Sequence, residues 1–122
     1  MNIENKLALS LKVLDDKMCS NLKVIDIKNT TIFGDFFVIA TVNSPNQMRA
    51  AIEALIDFLK KNEEEILYFD KNHDLDWNIV DCGDIIFHLF TKKGREYYDL
   101  ENLWYDLPRV DVDNILQNQE VG

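Results

Sequence analysis

Asp35, Asp81 and Asp84 are residues whose type suits metal-assisted chemistry. Catalysis with two Mg²⁺ ions requires carboxylates that converge on substrate phosphates, together with a Gly-rich or Lys-bearing loop that cradles those phosphates. The sequence has no such loop near these aspartates, and Asp81 and Asp84 flank Cys82-Gly83, a dipeptide typical of a tight turn. The pattern favours a hairpin turn over a metal site, so neither a metal nor a cofactor is expected.

His88, Cys19 and Cys82 are of types that serve elsewhere as bases, nucleophiles or metal ligands. As a metal ligand, His88 lacks a second histidine or cysteine nearby, and as a general base it lacks a nucleophile. We therefore expect a hydrogen-bonded histidine that is structural or part of an interface. Neither cysteine has another cysteine or paired histidines close by, which favours reduced, structural thiols over a disulfide or a zinc site.

Aromatic side chains follow at Tyr97, Tyr98 and Trp104, and such rings can stack on the bases of single-stranded nucleic acid. Stacking platforms of that kind lie in positively charged grooves, whereas these rings have acidic neighbours and the chain carries a net charge of −9. Binding through phosphates gains its affinity from Lys and Arg, so direct sequence-specific nucleic-acid binding is not expected. The charge favours a protein partner with a basic surface.

Length and hydropathy predict a single domain in a cytosol-like compartment. The chain has 122 residues, 47% of them apolar, which is enough for one hydrophobic core. No segment approaches the ~20 consecutive apolar residues of a membrane span, and the first residues lack the layout of a signal peptide. We expect one domain over residues 1–108 and a polar, mobile tail over residues 109–122.

Residues on both sides of the predicted turn are β-branched or aromatic, which predicts a hairpin of strands 77–81 and 84–90. A two-residue turn would place Asp81 directly opposite Asp84. Because both faces of this hairpin are apolar, each needs cover from helices of the same chain or from a partner. One face carries Trp77, Ile79, Ile86, His88 and Phe90. The other face carries Val80, Ile85, Phe87 and Leu89.

Hydrophobic periodicity elsewhere predicts an α/β sandwich with a mixed sheet. The near-continuous apolar run Phe36–Thr41 indicates a central strand that is buried on both faces. Ser44, Pro45 and Gln47 form a capping box with proline at the first helical position, which predicts the start of a helix that ends near Lys60. The other predicted elements are a helix over residues 3–18, strands Lys23–Ile27 and Ile66–Phe69, and a short helix bearing Leu100, Leu103 and Trp104 before Pro108.

Two motifs stand in order between Trp77 and Trp104: W-x-(I/V)-x-D-x-G-D-(I/V)-(I/V)-x-H-x-F and R-x-(Y/F)-Y-x-L-E-x-L-W. They are carried by Trp77, Asp81, Gly83, Asp84, His88, Phe90, Arg95, Tyr98, Leu100, Glu101, Leu103 and Trp104. So many matches at fixed spacing make coincidence improbable. The sequence resembles the ribosomal silencing factor family, also known as Iojap-like proteins, over most of residues 3–106. The resemblance implies a nucleotidyltransferase-like α/β fold with a mixed β-sheet flanked by helices.

The resemblance also implies a function, namely binding to the large ribosomal subunit at its protein fourteen. Bound there, such a protein sterically blocks association with the small subunit and represses translation in the cytoplasm, without being an enzyme. The alternative is a metal-dependent nucleotidyltransferase-like enzyme, although the sequence lacks the Gly-Ser pair of those enzymes. A homodimer that uses the same apolar surface is a further expectation. The predicted partner-binding residues are Trp77, Asp81, Asp84, His88, Phe90, Tyr98, Asp99, Leu100, Glu101, Leu103 and Trp104.

Overall fold

The computed structural model of the protein describes residues 1–30, 32 and 34–121, without the side chains of residues 119–121. Its frame is one sheet of six strands in the order β3-β4-β5-β2-β1-β6. The strands are β1 (Ser20–Asp26), β2 (Phe36–Val42), β3 (Tyr68–Phe69), β4 (Trp77–Asp81), β5 (Ile85–Thr91) and β6 (Arg109–Val110). The helices are α1 (Ile3–Asp16), α2 (Pro45–Lys61), α3 (Lys92–Tyr98), α4 (Leu100–Leu103) and α5 (Val112–Val121).

The centre of the sheet is the pair β2 and β5, which run parallel with Phe36 opposite Ile85 and Val42 opposite Thr91. The neighbouring pairs are antiparallel, so the sheet is mixed, as the sequence predicted. Every residue of β2 is buried, and so is every residue of β5 except Thr91. The prediction that the run beginning at Phe36 is a central strand, buried on both faces, is confirmed.

One face of the sheet is covered by α1, α2 and α5, which contribute to a single large hydrophobic core. The predicted capping box of α2 is confirmed, because the Ser44 hydroxyl accepts a hydrogen bond from the Gln47 backbone N–H at 3.0 Å. The Gln47 side chain in turn accepts from the backbone N–H of Asn43 at 2.6 Å. Within the described part of the chain, no helix is long and apolar enough to cross a membrane.

The opposite face has a second, smaller core, which the short helices α3 and α4 and the segment after them cover. No residue of α4 is itself buried, so this layer is much thinner than the first. The partly buried residues packed on this second core are Trp77, Ile79, Leu100, Trp104 and Leu107. The buried residues of the second core are Ile25, Ile27, Phe37, Ile39, Ile86 and Phe90.

The hairpin of β4 and β5 forms as predicted, but its register differs by two residues. Asp81 lies opposite Ile86 instead of Asp84, and Trp77 lies opposite Phe90. The turn is displaced by one residue, because the Cys82 N–H donates to the Ile85 carbonyl at 3.0 Å and the turn therefore encloses Gly83 and Asp84. The Asp81 carboxylate accepts a hydrogen bond from the Gly83 N–H at 2.8 Å within this turn. A shift of two residues keeps every side chain on its predicted face, since side chains alternate with a period of two.

The segment after Pro108 differs from the polar, mobile tail that the sequence predicted. Arg109–Val110 form an edge strand paired with β1, and α5 packs against α1. The segment has few apolar residues, but these face the large core: Val112 is buried, and Ile115 and Leu116 pack partly buried against it. A short helix needs only one such stripe to dock.

Candidate partner-binding site

The start of α3 is fixed beside β4 by contacts with Asp76. Thr91 caps the helix by accepting a hydrogen bond from the Gly94 N–H at 3.0 Å, and its hydroxyl donates to the Asp76 carboxylate at 2.9 Å. Gly94 approaches the loop so closely that an added β-carbon would overlap the Asp76 carbonyl oxygen. These contacts bring the end of α3 over Trp77, the first residue of β4.

Four aromatic rings lead from the core to the surface at this point, and we call them the aromatic ladder: Phe90, Trp77, Tyr98 and Tyr97. Phe90 is fully buried, and the Trp77 ring stacks on it with centroids 5.1 Å apart. Tyr98 lies against Trp77 at 4.8 Å, and Tyr97 meets Tyr98 edge-on at 4.9 Å. The outer end faces solvent, because Tyr98 is 49% and Tyr97 79% exposed.

Arg95 links α3 to the sheet through a buried guanidinium that is 9% exposed. Its Nη1 donates to the carbonyl of Asn21 at 2.6 Å and to the hydroxyl of Thr41 at 2.9 Å, and its Nε donates to the Glu101 carboxylate at 2.8 Å. Glu101 is therefore engaged within the protein. The motif spacing from Arg95 to Glu101 has a structural reason, since this pair ties α4 to α3.

The turn between α3 and α4 depends on Asp99, whose backbone adopts a left-handed conformation with φ of 47°. Aspartate tolerates this conformation better than most residues do. The far end of α4 is held by Arg109, which donates to the carbonyl oxygens of Trp104 at 2.9 Å, Leu107 at 3.0 Å and Glu101 at 3.1 Å. The role of Arg109 could not be predicted from the sequence, because nothing local indicates which carbonyls a distant arginine will reach.

The predicted partner-binding residues occupy different depths. Tyr98, Asp99 and Leu103 are exposed, with Leu103 at 69%. Tyr97 and Tyr105 are not among the predicted partner-binding residues, but both are more than three-quarters exposed and lie in the same thin layer. Trp77, Leu100 and Trp104 are partly buried, whereas His88 and Phe90 lie beneath the surface.

Asp81 and Asp84 are occupied by contacts within the protein. Asp81 holds the turn as described above, and the Asp84 carboxylate accepts from the Nζ of Lys6 and from the N–H of Ile85, both at 2.8 Å. Lys6 is 3% exposed and so depends on this ion pair for its charge balance. Among the described side chains, those of residues 1–30, 32 and 34–118, no group of three His, Cys, Asp or Glu is arranged to hold a metal ion.

A family model described as ribosomal silencing factor during starvation matches residues 1–122. The chain belongs to this family. A member in Bacillus subtilis, named Ribosomal silencing factor RsfS, is 31% identical over 113 residues, which are 93% of this chain and 96% of that protein. The resemblance read from the two motifs is thereby confirmed.

Similarity extends to solved structures and to more distant relatives of this silencing factor. A structure from Chromobacterium violaceum superposes with a TM-score of 0.81 at 27% identity, covering 85% of this chain and 87% of that one. A protein of Mus musculus, named Mitochondrial assembly of ribosomal large subunit protein 1, is 28% identical over 98 residues. Those residues are 77% of this chain and 42% of the mouse protein.

Beneath the partner-binding site of this silencing factor, His88 is the titratable group whose pKa is shifted furthest from its usual value. It is 5% exposed, and its Nδ1 accepts a hydrogen bond from the Trp77 indole N–H at 3.2 Å. Burial lowers the pKa of His88 from 6.5 to about 4, because the charged imidazolium is poorly solvated there. The histidine is consequently neutral at physiological pH. The prediction of a hydrogen-bonded histidine is confirmed.

This lowered pKa predicts a pH-dependent loss of stability. The unfolded chain binds a proton at His88 near pH 6.5 and the folded chain only near pH 4. The contribution of neutral His88 to the free energy of unfolding is therefore fully present above pH 6.5 and is lost as the pH falls towards 4. The total loss is about 3 kcal/mol. Urea unfolding of the unaltered protein and of His88→Leu between pH 7 and 4 gives the free energy of unfolding of each. The difference between the two measures the contribution of His88, because both proteins share the same carboxylates and the effects of those groups cancel. If the free energies of unfolding of the two proteins changed in parallel with pH, the assigned pKa of His88 would be contradicted.

Proposed function

We propose that the protein binds the large ribosomal subunit at its protein fourteen and, from that position, sterically blocks association with the small subunit. The observation that carries the proposal is a set of exposed apolar side chains in the thin layer of the fold, which we call the docking face: Tyr97, Tyr98, Leu103 and Tyr105. Aromatic anchors beside a leucine are typical of the centre of a protein interface. Family membership and the name of the mouse relative support the large subunit as the target.

Charge supports a basic protein, not RNA, as the direct contact. Glu96, Asp99 and Asp106 are exposed around the docking face, and the whole chain has a net charge of −9. An acidic rim attracts a basic protein and is repelled by phosphates, so it confines the silencing factor to a protein landing site. We expect the complex to form in the cytoplasm, where its ribosomal target is accessible.

The proposed mechanism is occlusion and needs no catalytic residue. Among the aspartates of the alternative enzyme, Asp84 is neutralised by Lys6 and Asp81 holds a turn, so both already have structural roles. A bound domain of this size would cover an area of the large subunit comparable to a standard protein interface. That area is enough to prevent the small subunit from docking at the same place. Repression of translation follows because joined ribosomes cannot form.

Subunit joining is the direct test. When purified bacterial large and small subunits are mixed and sedimented with increasing amounts of the protein, we expect the joined fraction to fall. The protein should co-sediment with large subunits and not with small subunits, and no nucleotide should be consumed. Normal joining at saturating protein would contradict occlusion. Light scattering of the free protein separately tests the expected homodimer.

Truncating the anchor should weaken binding more than folding. Tyr98→Ala removes a half-exposed ring whose main contacts are Trp77 and Tyr97, so we expect at least a tenfold loss of affinity for large subunits. The melting temperature should change little, because the ring is 49% exposed. Met18→Ala is the matched control: Met18 is 78% exposed and follows α1, on the other layer. A loss of binding only in proportion to lost folding would make Tyr98 a structural residue.

A further inference from the structure

One directional contact orients the Trp77 indole in the aromatic ladder, whereas its other contacts are ring packing. Phe90 and Tyr98 pack on Trp77 with centroids 5.1 and 4.8 Å away, and the indole N–H donates to His88 Nδ1 at 3.2 Å. Packing between rings tolerates many relative orientations, whereas a hydrogen bond weakens steeply when it is misaligned. The hydrogen bond to His88 therefore fixes which edge of the Trp77 indole points into the sheet.

His88 is itself held rigidly. Its ring meets Phe37 edge-on with centroids 4.8 Å apart and lies nearly parallel to Phe90 at 6.4 Å. Phe37 also contacts Trp104 at 6.1 Å, so the histidine is close to both parts of the thin layer. At 5% exposure His88 cannot reach a partner directly, and any effect on binding must pass through the residues above it.

The chemistry of the contact requires an acceptor at this position. An indole has one N–H donor and no acceptor, so His88 Nδ1 must be unprotonated and the ring proton of neutral His88 resides on Nε2. Burial keeps the histidine in this neutral form, as its lowered pKa indicates. Within the described part of the protein, the buried Nε2 has no hydrogen-bond partner, so Nδ1 makes the one directional contact of the ring.

We propose that His88 is a positioning residue of the partner-binding site, which sets the Trp77 indole through Nδ1 and thereby sets Tyr98 for docking. This inference rests on the proposed function and adds to it a buried residue that controls the shape of the docking face. Tyr98 packs on the Trp77 ring, so rotation of the indole would displace a tyrosine of the docking face.

The test compares His88→Leu with His88→Asn. Both replacements lose the imidazole ring and have the same branched arrangement of heavy atoms, but asparagine places an oxygen acceptor where Nδ1 stood. We expect His88→Leu to lower affinity for large subunits about tenfold and His88→Asn to recover most of it. His88→Gln carries its oxygen at the position of Nε2 instead and should bind as poorly as His88→Leu. Equal binding by the leucine and asparagine variants would overturn the proposal.

A spectroscopic readout separates positioning from general destabilisation. The chain has two tryptophans, so its NMR spectrum holds two indole N–H signals, which Trp104→Phe assigns. We expect the Trp77 signal to move towards the position of a solvated indole in His88→Leu and to stay near its original place in His88→Asn. An unmoved signal in His88→Leu would refute the hydrogen bond as the determinant. If the unaltered protein does not bind large subunits, the proposed function fails, and the indole signal alone then decides the role of His88.

Discussion

The parallel pairing of β2 with β5 is the constraint on which the rest of this structure depends. Both strands are apolar on both sides, so the sheet must be covered on two faces. Helices α1, α2 and α5 cover one face with a deep core, whereas α3, α4 and the segment after them cover the other in the described part of the protein. The thin cover leaves Tyr98 and Leu103 exposed, and this shortage of cover creates the docking face.

Polar contacts hold the thin layer where a deep core is lacking. Arg95 joins α3 to β1 and β2 and also binds Glu101, while Arg109 from β6 holds the end of α4. Arg95 reaches from the layer to the sheet and Arg109 reaches from the sheet to the layer, so the position of the layer depends on both contacts. Removing a partner of a buried guanidinium leaves an uncompensated charge, which typically costs 3–5 kcal/mol. A docking face fixed in this way can be exposed and still be well ordered.

Much of this arrangement could be predicted from the sequence. The period of two in the hairpin assigned each side chain to the correct face, although the register was wrong by two residues. The turn encloses Gly83 and Asp84 instead of Cys82 and Gly83, and composition alone does not show this displacement. Val112 and its neighbours pack on the large core where a mobile tail was expected. The segment is mainly polar in composition, but burial of a few apolar side chains on one side is enough to hold it there. The depth of His88 and the reach of Arg109 depend on tertiary contacts that no local pattern encodes.

The central claim is that the thin layer, with the docking face upon it, meets the large subunit. Amide hydrogen exchange of the protein, free and bound to large subunits, tests this claim most directly, because it reports where each segment gains protection. We expect added protection in α3, α4 and the start of β4, with α1 and α2 exchanging as in the free protein. Protection confined to α1 and α2, with α3 and α4 unchanged, would contradict it.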